Sequence, residues 1–178
     1  IEGASIVGQK EGDGPLGKLF DVVEQDPMLG QETWEEAESL LQKEAIQKLL
    51  FKAGMSKEEI RYIFGGDLLG QLIATTFGIL EFEVPFFGLY GACSTMGEAL
   101  SLGAVMVEAG NADNVIAMAS SHFASAERQF RFPLAYGNQR PYAATWTVTG
   151  CGAVIISTKK GFAKITGITT GKIVDMGI

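Results

Sequence analysis

At 178 residues and 47% hydrophobic content, the chain is long enough to bury one sizeable core and reads as a single globular unit. Twenty-one acidic residues against 14 basic ones, a net charge of -7 and no run of Lys or Arg argue against a nucleic-acid surface. The two cysteines, Cys93 and Cys151, stand in no CxxC, which argues against a disulfide scaffold or a zinc site and leaves a reducing compartment as the default.

No apolar stretch approaches the ~20 residues of a spanning helix. Leu68 to Leu80 is broken by Gly70, Gln71, Thr75, Thr76 and Gly78. The chain opens at Ile1 with neither a methionine nor a charged-then-apolar leader, and is expected to be a piece of a longer protein.

In chain order, Ala4 to Val7 is a strand end, and the glycines from Gly8 to Gly17 mark a loop. Thr33-Trp34-Glu35-Glu36 fits a capping box, and Ala37, Leu40, Leu41, Ala45, Ile46, Leu49 and Leu50 recur at helical spacing. An amphipathic helix ending near Gly54 follows, with Glu35 to Glu44 as its solvated face. Ser56-Lys57-Glu58-Glu59 repeats the capping signature and opens a short helix, and a strand is expected over Arg61 to Gly65. Asp67 then follows the Gly65-Gly66 pair.

An apolar helix is expected over Leu68 to Leu80. The strand Val84 to Tyr90 lacks a polar face and so belongs in the buried centre of a parallel sheet. After Gly91-Ala92-Cys93-Ser94 comes a helix, Thr95 to Ala109, that is apolar nearly all round and should lie between layers, with Thr95 to Glu98 as its capping box. Val115 to Ser120 is a further strand, ending at Ser121-His122-Phe123. Ala124 to Tyr142 is aromatic, basic and irregular, the mark of a long loop or interface segment. Thr145 to Ser157 reads as a strand, and a hairpin at Gly161 leads to another over Ala163 to Thr170. Together these predict an α/β fold with a mixed, mostly parallel sheet, a buried central helix and helices on the sheet's faces.

Cys93 is the leading candidate for function. A thiol at the first turn of a buried helix sits at the helix's positive end, which favours thiolate over thiol and anions over neutral ligands. The residue is thus a nucleophile or the floor of an anion cradle, unless it packs as a small hydrophobe. Asp67, at a strand's end where open α/β sheets hold ligands, is a second candidate, or else the N-cap of a helix starting at Leu68. His122, the sole histidine, is a site residue or a buried imidazole bonded to a backbone carbonyl. Cys151, between two glycines of a strand, reads as structural.

Gly-Ala-Cys-Ser opening a buried helix, the strand Val115 to Ser120, and Gly150-Cys151-Gly152-Ala153-Val154-Ile155-Ile156 as a late strand together resemble the N-terminal half of the thiolase and ketoacyl-synthase superfamily. Within it, several strings are similar to the stage V sporulation protein AD family of spore-forming bacteria. They are Glu2-Gly3-Ala4-Ser5, Gly8 to Gly17, Tyr90-Gly91-Ala92-Cys93-Ser94-Thr95, Ser120-Ser121-His122-Phe123 and Arg131 to Gly137. The likeness runs along essentially the whole chain, so residues 1–178 are expected to be the N-terminal half of a thiolase-like fold.

The resemblance implies a peripheral protein of the spore inner membrane. Such a protein is a homodimer that binds dipicolinic acid (pyridine-2,6-dicarboxylate) and works with membrane-embedded partners in its uptake. A rigid aromatic dicarboxylate needs amides, hydroxyls or cations for its carboxylates and an apolar slot for its ring. Cys93 and Ser94 with the helix amides fit the first need, and Phe123 or Phe87 the second. Asp67 would repel such a ligand unless it is protonated, hydrogen-bonded to a cationic neighbour or joined to the ligand through a calcium ion. The alternative is half of a condensing or acyl-transfer enzyme with Cys93 as acyl acceptor. Against it, the superfamily's enzymes take His, Asn or a second Cys from the C-terminal half, and His122 lies where they keep no catalytic histidine.

Overall fold

The computed structural model describes residues 2–69, 72–130, 143 and 145–177. Six strands form one sheet in the order β2-β1-β6-β5-β3-β4: β1 (Glu2–Gly8), β2 (Val22–Glu24), β3 (Tyr62–Asp67), β4 (Phe86–Gly88), β5 (Asn114–Ser121) and β6 (Gly150–Ser157). The β1–β2, β3–β4 and β3–β5 pairs are parallel, whereas β6 runs antiparallel to both its neighbours, β1 and β5. Five strands therefore share one direction and β6 alone opposes them. Among the described residues five α-helices accompany the sheet: α1 (Gln9–Gly12), α2 (Trp34–Ala53), α3 (Ile73–Ile79), α4 (Thr95–Glu108) and α5 (Phe123–Phe130).

Alternate residues of the central strands feed two separate cores. On one face Ile63, Ile116, Met118 and Ile155 pack with Leu41, Ala45, Ile46 and Leu49 of α2. On the other, Phe64, Val115, Ala117 and Ile156 pack with Ala99 of α4. Because both faces are covered, these strands carry no polar alternation. Each fully buried Leu or Ile contributes ~1.5–3 kcal/mol, so the two layers account for the sheet's cohesion.

Helix α2 follows the sequence signals closely. Thr33 Oγ1 accepts from Glu36 N at 3.2 Å while Thr33 N donates to Glu36 Oε2 at 3.0 Å, a complete capping box. Gly54 ends the helix in the left-handed region at φ 61°. Ser56 likewise heads a capping box, on a single 3-10 turn over Lys57–Glu59.

Five expectations are corrected. The Gly8 to Gly17 loop contains the one-turn helix α1. The helix expected from Leu68 begins at Ile73, because Leu72 takes a left-handed conformation (φ 57°) that no helix continues through. Strand β4 is three residues long and lies at the sheet's edge rather than its centre, with Phe87 46% exposed. The capping box expected at Thr95 to Glu98 is absent: Ser94 is the N-cap, without a side-chain cap bond, and its hydroxyl donates instead to Gly91 O. No strand forms over Ala163 to Thr170, because β6 already has β1 and β5 on its two sides and leaves a hairpin partner no edge to pair with.

Of the segment expected to be irregular from Ala124, the start continues α5, and residues 131–142 lie outside the described residues. Helix α4 buries Thr95, Ala99 and Gly103 toward the sheet and leaves Leu102 and Val105 exposed.

Candidate functional site

The shared direction of β1 to β5 gathers their carboxyl ends along one border of the sheet, joined by the start of β6. Register fixes this border: Asp67 lies beside Ser120, Ser121 beside Gly150, and Gly150 beside Val7. Open α/β sheets hold ligands on this side.

The elbow after β4 stands here. Leu89 N donates to Gly65 O at 2.9 Å, which ends strand pairing. Ala92 then adopts φ 48°, a left-handed conformation that costs a residue with a Cβ ~1–2 kcal/mol. The turn Ala92–Ser94 closes with Ser94 N and Oγ both donating to Gly91 O at 2.9 Å. A Cβ on Gly91 would fall against Ser94 Oγ and lie 2.9 Å from Glu98 Oε2, so both side chains would have to move aside for it.

Cys93 is thereby presented exposed ahead of α4. With Ser94, Glu98 and Ser101 it borders an open groove of about 810 Å³, whose other wall is formed by Ile165 and Thr169. Thr95 Oγ1, one residue into the helix, is buried without a partner. The groove offers an exposed thiol, hydroxyls and a helix terminus, and it also carries the Glu98 carboxylate, which opposes an anion.

Asp67 is turned inward. It is 3% exposed, and its Oδ2 accepts from Thr75 Oγ1 at 2.9 Å and Thr75 N at 3.4 Å, while Oδ1 has no partner. The cap role expected at Leu68 is thus replaced by a bond to the first turn of α3. Gln42 Nε2 donates to Thr75 Oγ1 (3.2 Å) and Ser120 Oγ (2.6 Å), and Glu38 receives Ser120 Oγ (2.7 Å) and Ser125 Oγ (2.9 Å). Glu38 and Gln42 are 2% and 0% exposed, which corrects the reading of Glu35 to Glu44 as a solvated face. Burial pushes the Glu38 carboxyl above its usual range, the two serine hydroxyls hold it down, and the charge of Asp67 raises it further.

His122 is fully buried, with Nε2 2.8 Å from Pro27 O and Nδ1 accepting from Ala124 N at 3.2 Å. A carbonyl can only accept, so the hydrogen is on Nε2 and the ring is neutral. Burial lowers its pKa, against the raising effects of the Pro27 bond and of Glu11. Phe123 stacks between His122 (5.1 Å) and Trp146 (5.1 Å) and meets Trp34 edge-on, and Lys10 Nζ caps Trp146 at 3.7 Å. Phe87 stacks on Phe64 at 4.9 Å at the opposite edge. Cys151 is buried, which pushes its thiol pKa far up and fits a structural role.

The expected site residues thus fall into three settings along one border. Cys93 and Ser94 share the groove, His122 and Phe123 share an aromatic cluster, and Asp67 belongs to a buried polar network. No hydrogen bond of His122 or Asp67 reaches Cys93 or Ser94. Sequence reasoning missed Glu38, Gln42, Thr75, Ser120 and Ser125. One signal was present: Glu38 and Gln42 are four apart and interrupt the apolar stripe of Leu41, Ala45, Ile46 and Leu49. Among the described residues, no group of three or more His, Cys, Asp or Glu is placed to hold a metal ion, and no helix is long and apolar enough to cross a membrane.

The profile of the stage V sporulation protein AD family matches residues 1–178. Stage V sporulation protein AD of Bacillus subtilis (strain 168) is 43% identical over 174 residues, covering 98% of this chain and 52% of its own length. Among solved structures, 3-oxoacyl-[acyl-carrier-protein] synthase III from Aquifex aeolicus VF5 is similar at a TM-score of 0.58 and 18% identity, over 90% of this chain and 54% of that one. The priming β-ketosynthase of the R1128 polyketide pathway is similar at a TM-score of 0.56 and 17% identity, over 88% and 48%. At these identities the likeness establishes the thiolase-like fold alone, and the chain spans about half the length of these relatives. With the profile covering the whole chain and the β4–elbow–α4 arrangement in place, the chain belongs to the stage V sporulation protein AD family of sporulation proteins with a thiolase-like fold.

Proposed function

We propose that this protein binds dipicolinic acid without transforming it, for uptake into the developing spore, with the Cys93–Ser94 elbow as the docking point for a carboxylate. Family membership supports the sporulation context. The observation that carries the non-catalytic reading is His122: both nitrogens of this chain's sole histidine are committed, to Pro27 O and Ala124 N, so it is no base for the Cys93 thiol. The elbow's contribution is then thiol and helix-end dipole, joined by the Ser94 hydroxyl once it turns from Gly91 O to the ligand, which suit an anion held rather than attacked. In this reading the protein acts as a homodimer at the periphery of the spore inner membrane, beside membrane proteins of the same uptake system, and calcium accompanies the dicarboxylate.

The exposed Cys93 thiol favours a second reading, an acyl acceptor of the condensing-enzyme type. Calorimetry of the full-length protein with dipicolinate, with and without calcium, separates the two when paired with intact-mass analysis after incubation with acetyl and malonyl thioesters. Saturable dicarboxylate binding that weakens in Cys93→Ala and Ser94→Ala, without acylation, is the expected result. Acylation of Cys93 with no dicarboxylate binding refutes the proposal.

A further inference from the structure

Between α2, β3, β5 and the first turn of α5 lies the polar network that the elbow does not use. Glu38 and Asp67 are 2% and 3% exposed. The ion pairs formed between described residues by Lys43, Lys52, Lys57 and Lys159 lie elsewhere. Among the described residues no cation bonds either carboxylate, and two ionised carboxylates so enclosed cost several kcal/mol each.

The donors and acceptors decide which group carries a proton. Gln42 spends its two amide hydrogens on Ser120 Oγ and Thr75 Oγ1. Each hydroxyl, having accepted, passes its own hydrogen on: Ser120 to Glu38 Oε1 and Thr75 to Asp67 Oδ2. Asp67 Oδ2 takes Thr75 N as well, and Oδ1 is buried without any partner, so a proton there has no acceptor. Glu38 differs. Its Oε2 is 2.9 Å from Ser125 Oγ, and that hydroxyl has a second acceptor in His122 O at 3.1 Å. A proton on Glu38 Oε2 points to Ser125 Oγ, Ser125 points to the His122 carbonyl, and every hydrogen is matched.

We propose that Glu38 and Asp67 form a single-proton site, in which Glu38 is a neutral acid donating to Ser125 and Asp67 is the anion. The raised pKa of Glu38 agrees with this placement. Among the described residues, the groups facing Glu38 are the Asp67 carboxylate from β3 and the Cys151 thiol from β6; α3 contributes Thr75 and the first turn of α5 contributes Ser125, both uncharged. One negative charge rather than two lies beneath the carboxyl ends of β3 and β5. Loss of the proton turns the Ser125 hydroxyl to Glu38 and leaves the His122 carbonyl with Ala126 N alone.

Infrared titration of the full-length protein tests the site. A protonated-carboxyl band present at pH ~7 and lost in Glu38→Gln is expected, and in Asp67→Asn the band is lost at lower pH than in the wild type, because the repelling charge is gone. A wild-type spectrum without that band, a band unchanged in Glu38→Gln, or a titration unmoved in Asp67→Asn overturns the proposal. Thermal unfolding at pH ~7 gives an independent readout. Gln has the shape and the donor of the neutral acid, so Glu38→Gln retains the wild-type midpoint while Glu38→Ala loses it. Equal losses in the two variants overturn the assignment.

Discussion

His122 Nε2 donates to the carbonyl oxygen of Pro27 at 2.8 Å, which ties the carboxyl end of β5 to the loop before α2 across 95 positions of sequence. The bond needs only the neutral ring, and burial favours that form. Folding thus holds the imidazole pKa below its unfolded value of ~6.5, so the stabilisation is present above that pH and is lost as pH falls through the lower, folded value. The wild-type unfolding midpoint should drop below pH ~6.5, and His122→Leu should flatten that part of the profile. Because the substitution strands the Pro27 carbonyl, it should also cost ~1–3 kcal/mol at pH 8 in denaturant titrations.

The two thiols differ in access, with Cys93 exposed on the elbow and Cys151 inside the sheet. Brief alkylation of the native protein followed by peptide mass analysis should modify Cys93 and leave Cys151 untouched until denaturant is added. Labelling of Cys151 at a comparable native rate would contradict the β6 packing described above.

Glu98 borders the same groove as Cys93 and Ser94. A carboxylate near the docking point repels a dianion by about 1 kcal/mol through water, equivalent to roughly fivefold in affinity. Glu98→Gln should tighten dipicolinate binding by about that factor in calorimetry, with a smaller gain at high salt. Unaltered or weaker binding would place the ligand away from this groove.

Gly65 pairs with Met118 in the parallel β3–β5 ladder: an added Cβ would lie 2.5 Å from both Met118 Cγ and Met118 O. The side chain can move but the carbonyl is fixed in the β3–β5 ladder. Gly65→Ala should therefore destabilise by ~1–3 kcal/mol in chemical unfolding, whereas Gly152→Ala, where nothing lies within 4 Å, should stay near neutral.

Much of the frame is legible in the residues because it rests on local chemistry. Thr33, Glu36 and Gly54 delimit α2 through caps that neighbouring backbone atoms satisfy. The apolar centres of β5 (Val115 to Ala119) and β6 (Ala153 to Ile156) announce a sheet covered on both faces, and the Gly91 to Ser94 string marks the elbow. Legibility failed where a distant partner decides the outcome. Val84 to Tyr90 is apolar enough for a central strand, yet it pairs with β3 alone and forms an edge. Ala163 to Thr170 has the composition of a strand and finds no free edge beside β6.

By itself the sequence determined the α/β class, the cap-bounded α2, the Cys93 elbow and the likeness to its family, since each depends on contacts within a few residues or on strings read directly. Only the tertiary structure decided the roles of the polar residues. Glu38 and Gln42 sit in a helix that looks solvated on that side, and Asp67 looks like a cap. Strand register places Asp67 beside Ser120, and the packing of α2 across the sheet brings Gln42 between them, 78 positions from Ser120. Whether a carboxylate is a surface charge, a ligand or a buried acid depends on its dielectric surroundings and hydrogen-bond partners, and the fold supplies both.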